Sequence, residues 1–274
     1  MPELPEVETV RRTLAPAIGA RIRDVWDSGQ GLHMARKPPR KSLRTLIGAT
    51  ITAVRRIGKY LLVDTDTEKS LLVHLGMTGR FRLQPAGEPR AKHTHLVLGL
   101  GDRELRFSDP RRFGQVDVVT RAKEREHAAL SILGPDPLTD GIDAAALLAR
   151  ARHKKATLKA FLLDQGVLAG VGNIYASEAL WRAGLRPTTR AHRLTAASAQ
   201  KLAAAVLEVF EHALSNGGTT LNDFVAADGV EGANADYLWV YDRAGQPCPR
   251  CKTLIRRAVH HGRATYYCPT CQAR

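Results

Sequence analysis

Gly134-Pro135-Asp136-Pro137 is where the texture of the chain changes, and the fold class follows from what lies on either side of it. Two prolines around a turn-forming aspartate end regular structure, so a domain boundary is expected here. Upstream, short apolar runs are separated by Gly, Pro, Asp or Thr: Ile51 to Val54, Tyr60 to Asp64, Leu71 to Leu75, Phe81 to Leu83, Thr94 to Leu98, Leu105 to Phe107 and Val116 to Val119. Runs of this length and punctuation predict a two-layer antiparallel sandwich. Before them, Val7, Val10, Leu14 and Ile18 recur at helical spacing, so a helix over Glu6 to Ile18 is expected to flank the sandwich. Downstream the pattern turns helical, over Ala144 to Arg152 and Thr157 to Gln165. Asn173 is expected to cap a third helix over Ile174 to Ala183, and Thr195 a long fourth that ends before Gly217-Gly218.

All four cysteines fall in the last 27 residues, as Cys248-Pro-Arg-Cys251 and Cys268-Pro-Thr-Cys271 with sixteen residues between the pairs. Two CxxC knuckles at this separation suit tetrahedral thiolate coordination of one Zn2+, with a β-hairpin between them. A site made of four cysteines has no open position, so the metal is structural. The expected class is therefore α+β multidomain: an N-terminal β-sandwich with a flanking helix (1–133), a helical domain (134–241) and a C-terminal zinc-finger β-hairpin (242–274).

The formal charge of +14 is unevenly spread. Arg36 to Lys59 holds eight Lys/Arg and no acid, and Arg243 to Arg274 holds seven and no acid. One-sign stretches of this kind point to a polyanion, nucleic acid before an acidic membrane surface. No apolar run approaches the ~20 residues needed to span a bilayer. The start lacks the basic-then-apolar pattern of a secretory signal, so a cytoplasmic, nucleoid-associated protein is expected.

The chain opens Met1-Pro2-Glu3-Leu4-Pro5-Glu6. Loss of Met1 would leave a free proline amine beside a carboxylate. A terminal α-amine has a pKa of about 8, leaving a usable neutral fraction near pH 7. Such an amine forms an iminium with an electrophilic carbon, and proline's iminium carries a permanent positive charge. Glu3 beside the amine suits proton transfer and also the helix start, where the dipole favours a carboxylate, and Glu6 suits the helix start.

Further segments join this start: His74-Leu75-Gly76-Met77-Thr78-Gly79-Arg80, Asp109-Pro110-Arg111-Arg112-Phe113-Gly114 and Gly170-Val171-Gly172-Asn173-Ile174-Tyr175-Ala176-Ser177-Glu178. With the CxxC tail they span the chain in order and resemble the formamidopyrimidine-DNA glycosylases, base-excision repair enzymes with a helix-two-turn-helix domain. The resemblance implies a bifunctional glycosylase and AP lyase that removes oxidised purines from damaged double-stranded DNA, acting as a monomer. It implies Pro2 as nucleophile, Glu3 as proton donor, Lys59 as a phosphate grip that assists elimination, and His74 and Arg263 as phosphate contacts. Asn173 is implied at a phosphate-binding helix start. Met77, Arg111 and Phe113 are implied as the wedge that fills the gap left by a flipped base, and Lys159 as a residue near the lesion. Gly217 to Phe224, with Thr219, Thr220 and Asn222, resembles the start of the lesion-recognition loop. Beyond it Ala233-Asn234-Ala235-Asp236 departs from the family's aromatic pattern.

Two other readings are open. A sister enzyme for oxidised pyrimidines, endonuclease VIII, usually starts Pro-Glu-Gly-Pro where this chain has Pro-Glu-Leu-Pro. A non-catalytic binder of damaged DNA would share the charge and the zinc tail but would not need Pro2, Glu3 and Lys59 together.

Overall fold

Helix α1, Leu4–Thr13, begins in a capping box with Glu3 as N-cap. The Glu6 carboxylate accepts the Glu3 backbone N–H at 2.8 Å, satisfying a donor that the first turn leaves unpaired. Leu4, Val7, Val10 and Leu14 form its buried face. The helix ends short of its predicted extent, because Pro16 has no N–H for the ladder and the chain tightens into a 3-10 turn over Ala15–Ala17.

The computed structural model describes residues 1–32, 40–220, 226–260 and 262–272. After α1 come β1 (Asp24–Asp27), α2 (Arg40–Arg44), β2 (Ile51–Ile57), β3 (Tyr60–Thr65), β4 (Lys69–His74), β5 (Arg80–Pro85), β6 (Thr94–Gly99), β7 (Arg103–Ser108) and β8 (Gln115–Thr120). The strands pair antiparallel in two four-stranded sheets, ordered β2-β3-β4-β8 and β1-β6-β7-β5. Alternate residues turn inward: Leu61, Val63, Leu71 and Val73 from one sheet meet Leu96, Leu98, Leu105 and Phe107 from the other, with Val7, Val10 and Leu14 of α1 in the same core. Burying each such side chain stabilises the fold by roughly 1.5–3 kcal/mol.

A partly buried ion cluster ties α1 to the sheet. Glu8 accepts from Arg11 at 2.8 and 2.9 Å, Arg12 at 2.9 Å and Arg56 at 3.1 Å. Burial alone would raise the Glu8 carboxyl, but the bonds from Arg11, Arg12 and Arg56 outweigh it and hold the group down at about 2. Arg56 also donates to the Gly58 carbonyl at 3.0 Å, fixing the β2–β3 turn in front of Lys59. Because the Glu8 pKa is depressed on folding, its stabilisation is complete above the unfolded value near 4.5 and is lost as pH falls toward 2. Glu8→Ala leaves Arg56 buried without its anion and is expected to cost about 3 kcal/mol, read as a lower urea midpoint at neutral pH.

The helical part comprises α3 (Ala144–Ala151), α4 (Leu158–Leu163), α5 (Asn173–Arg182) and α6 (Ala196–Ser215), followed by the hairpin β9 (Arg256–His260) and β10 (Arg263–Tyr267). Asp143 caps α3 and Thr157 caps α4 through their side-chain oxygens. Thr195 Oγ1 accepts the Ser198 N–H at 3.2 Å, as its expected capping role requires. At the Gly134 boundary a Cβ would stand 2.4 Å from the Gly166 carbonyl oxygen, so only glycine fits. Asp136 then accepts the Leu138 N–H at 3.1 Å and turns the chain.

The chain packs into two compact units. One is Met1–Ser131 with Asn216–Ala235, and the other is Ile132–Ser215 with Asp236–Arg274. Among the described residues no helix is long and apolar enough to cross a membrane.

Candidate active site and nucleic-acid interface

In the first unit the capping box sets the expected nucleophile. Pro2 and Glu3 are buried at the start of α1, and Met1 ahead of them is 52% exposed. With Met1 attached the Pro2 nitrogen is an amide and has no nucleophilic lone pair, so the chemistry requires its removal. Glu6 works as a brace. One of its oxygens holds the Glu3 N–H and the other accepts the Thr219 backbone N–H at 2.8 Å.

Lys59 is buried and follows Gly58, whose φ of +57° makes the tight turn between β2 and β3. Across the ladder Tyr60 pairs with His74, and their rings lie 4.7 Å apart. Burial, and then the nearby Lys59 charge, pull His74 down to about 4. His74 Nδ1 accepts the Gly76 N–H at 3.1 Å. At neutral pH the ring is therefore uncharged with its proton on Nε2, which leaves a neutral donor beside Lys59.

Met77 is 39% exposed, and the Arg111 guanidinium lies 4.8 Å over the Phe113 ring. What joins these expected wedge residues is Asp109, fully buried, whose role the sequence alone did not disclose. Its carboxylate accepts Thr78 Oγ1–H at 2.5 Å and the Gly114 N–H at 2.7 Å, and Thr78 Oγ1 accepts the Arg111 N–H at 3.3 Å. Gly76, at φ +63°, lets the two segments touch, since a Cβ there would be 2.5 Å from Gly114 N and Phe113 C. His95 Nε2 bonds the Asp109 carbonyl at 3.0 Å. Asp109→Asn puts an amide N–H2 in place of one of the two accepting oxygens, against either the Gly114 N–H or the Arg111 N–H. We expect roughly tenfold slower single-turnover lesion excision, the rate equivalent of one lost buried hydrogen bond, with binding to undamaged duplex unchanged.

Of the expected loop residues, Thr219 and Thr220 lie at its stem and Asn222 falls outside the described residues. The departing stretch closes this stem. Asn234 is buried and donates from Nδ2 to Thr219 Oγ1 at 2.8 Å, while its backbone N–H reaches the Gly218 carbonyl at 3.1 Å. Thr220 Oγ1 accepts the Gly232 N–H at 2.9 Å. A polar clamp thus stands where an aromatic side chain was expected from the family pattern.

In the second unit Gln165 shapes the Gly170-Val171-Gly172 turn, accepting from Gly170 N at 2.9 Å and donating to the Val171 carbonyl at 2.9 Å. Gly172 is the N-cap of α5, so Asn173 is its first helical residue and not its cap. That frees the Asn173 amide to donate to Tyr241 Oη at 3.3 Å at the start of the helix. Tyr241 is held by Glu178, which is buried on α5 and accepts the backbone N–H groups of Trp239, Val240 and Tyr241 at 2.7–2.9 Å. Neither Tyr241 nor the Glu178 anchor stood out in the sequence, because their partners are more than sixty residues apart.

Lys159, expected as a DNA contact near the lesion, is enclosed within the second unit. It is 2% exposed, and its amine donates to the Ala264 carbonyl at 2.6 Å, Thr265 Oγ1 at 2.9 Å and Ser177 Oγ at 3.3 Å. An ammonium so enclosed positions protein: it fixes β10 next to Arg263, which stands exposed at the strand's first position. The four cysteine sulfurs lie within 4.8 Å of one another, with Cys251–Cys268 at 3.4 Å and Cys248–Cys271 at 3.9 Å, and none is in a disulfide. A tetrahedron of about 2.3 Å Zn–S bonds has edges of about 3.8 Å, so the four thiolates fit one Zn2+.

Three family models match the chain: the formamidopyrimidine-DNA glycosylase N-terminal domain over residues 1–116, the formamidopyrimidine-DNA glycosylase H2TH domain over 133–225, and the zinc finger found in FPG and IleRS over 245–274. The formamidopyrimidine-DNA glycosylase of Methylococcus capsulatus is 47% identical, over 99% of this chain and 100% of its own length. That of Xanthomonas euvesicatoria is 43% identical over the same shares. Among solved structures, a Lactococcus lactis FPG mutant in complex with Fapy-dG-containing DNA aligns with a TM-score of 0.92 at 32% identity, covering 100% of both chains. MutM (FPG) from Thermus thermophilus aligns at 0.88 with 42% identity, covering 99% of this chain and 98% of that one.

Proposed function

The chain belongs to the formamidopyrimidine-DNA glycosylase family, and from that premise we propose how its own residues remove oxidised purines from duplex DNA. It is a base-excision repair glycosylase with AP lyase activity. Once Met1 is gone, the Pro2 nitrogen attacks C1′ of the flipped nucleotide. The C1′–N9 bond breaks, and its electron pair leaves with the base, which takes up a proton. Glu3 protonates the ring oxygen O4′ as the sugar opens to an iminium. That cation acidifies the C2′ proton; its loss expels the 3′ phosphate, and a second elimination expels the 5′ phosphate.

Lys59 and neutral His74 hold phosphate in the first unit. Asn173, Tyr241 and Arg263 do so in the second, with zinc supplying the fold of the hairpin that carries Arg263. Met77, Arg111 and Phe113 fill the vacated stack. The enzyme acts as a monomer on cytoplasmic, nucleoid DNA, and its basic stretches make binding steeply salt-dependent.

The observation that carries this reading is the Glu6 brace, which joins the residue next to the nucleophile to the stem of the lesion loop through one carboxylate. Side-by-side excision from matched duplexes tests it. The expected result is faster release of 8-oxoguanine than of thymine glycol, and the reverse order would favour the pyrimidine-specific sister activity.

A further inference from the structure

The C-terminal end of α5 runs into the cysteine cluster. Trp181 is 2% exposed, and its indole Nε1–H donates to Cys248 Sγ at 3.4 Å. The Arg250 guanidinium lies 4.0 Å over the same ring and donates to the Trp181 carbonyl at 3.1 Å and the Arg182 carbonyl at 3.0 Å. Gln272, also buried, donates to the Leu185 carbonyl at 2.9 Å and accepts the Cys268 N–H at 2.8 Å. Trp181, Cys248, Cys268, Ile255 and Tyr266 pack in one apolar cluster. Trp239 stacks on Trp181 at 5.5 Å.

Four thiolates around Zn2+ leave a net charge of −2, and each sulfur keeps lone pairs that can accept a hydrogen bond. A donor aimed at such a lone pair withdraws charge from the sulfur and holds it in place in the shell, which opposes its departure from the metal. Backbone N–H groups within a knuckle can serve in this way, as Cys271 N–H does toward Cys268 Sγ at 3.4 Å. Trp181 differs, being a side chain delivered from another element across 67 residues of sequence.

We propose that Trp181 is part of the zinc site: its indole N–H stabilises the Cys248 thiolate and slows loss of the ion, making α5 a retaining element for the metal. The inference rests on the assignment of zinc to the four cysteines. It gives α5 two duties on the order of 12 Å apart, the phosphate-facing Asn173 at its start and the metal brace near its end.

The test begins with zinc content of the full-length protein, then follows transfer of zinc to a chromophoric chelator. Trp181→Phe keeps the ring stack and removes the N–H. It should still bind one zinc per chain but release it roughly tenfold faster. Trp239→Phe removes part of the stack and leaves the bond, so its rate should match the unsubstituted protein. Equal rates for Trp181→Phe and the unsubstituted protein would overturn the proposal, as would equal acceleration by both substitutions, which would assign the effect to packing. A second measurement needs no substitution. With cadmium-113 in the site, scalar coupling between the metal and the Trp181 indole proton is expected, and its absence counts against the bond. Absence of zinc from the unsubstituted chain would remove the metal assignment itself, whereas unaltered release from zinc-loaded Trp181→Phe would remove only this inference.

Discussion

Pro2→Gly, prepared with Met1 removed, is expected to lose at least about 10²-fold in single-turnover excision of 8-oxoguanine. Glycine keeps a terminal amine, so attack on C1′ remains possible. Its imine is neutral unless protonated, however, and the permanent cation that drives ring opening and C2′ deprotonation is lost. Helix α1 should be unaffected, since its start is set by the Glu3–Glu6 capping box and not by Pro2. Binding to a duplex with a stable abasic-site analogue should therefore be unchanged, which separates lost chemistry from lost recognition. Protein that retains Met1 should bind the same duplex and leave it uncut. Equal turnover for Pro2→Gly and the unsubstituted enzyme would mean that another group supplies the nucleophile.

The second large effect is expected from the metal. Among the described residues from Gly245 onward the strands form one two-stranded hairpin, β9 with β10, and an isolated hairpin of that size is marginal in water. Four cysteine sulfurs supply what the small core of this module does not. Cys251→Ser, or removal of zinc, should release the hairpin, withdraw Arg263 from its fixed place on β10 and drop strand cleavage by more than about 10²-fold. The slope of log affinity against log salt should become shallower as phosphate contacts are lost. Full cleavage by a zinc-free chain would show that the hairpin does not need the ion.

The two effects concern features that differ in how openly the sequence carries them. The cysteine spacing and the seven apolar runs of the sandwich are local patterns, and each appears in the fold where its pattern places it. Asp24–Asp27 carries no strand signal, because Asp-Val-Trp-Asp is short and bounded by charge; it forms a strand because β6 pairs with it. Helix α2, Arg40–Arg44, is five residues inside a basic stretch and has no periodicity to find. At Asn173 the residue type pointed to a cap, but glycine at 172 takes that place and the amide turns to Tyr241.

Charged side chains gave the least away. Lys159 is expected near the lesion by resemblance, and only the fold shows Ala264 and Thr265, more than a hundred residues later, accepting from its amine. Asp109 precedes a proline and carries no local signal, yet it is fully buried and its carboxylate joins Thr78 to Gly114. Asn234 marked a departure from the family pattern, and only the fold shows that it clamps Thr219. In each case the deciding partner is distant in sequence, so burial and pairing, not residue type, determine the role.

All of the proposed chemistry depends on Pro2, freed of Met1, as the covalent catalyst. The decisive experiment is intact mass of the mature protein before and after borohydride reduction with an 8-oxoguanine duplex, followed by peptide mapping of the adduct. A chain lacking Met1 and a reduced sugar–DNA adduct on the Pro2 nitrogen are expected. An adduct mapped to Lys59 or any other lysine, with Pro2 unmodified, would refute the assignment.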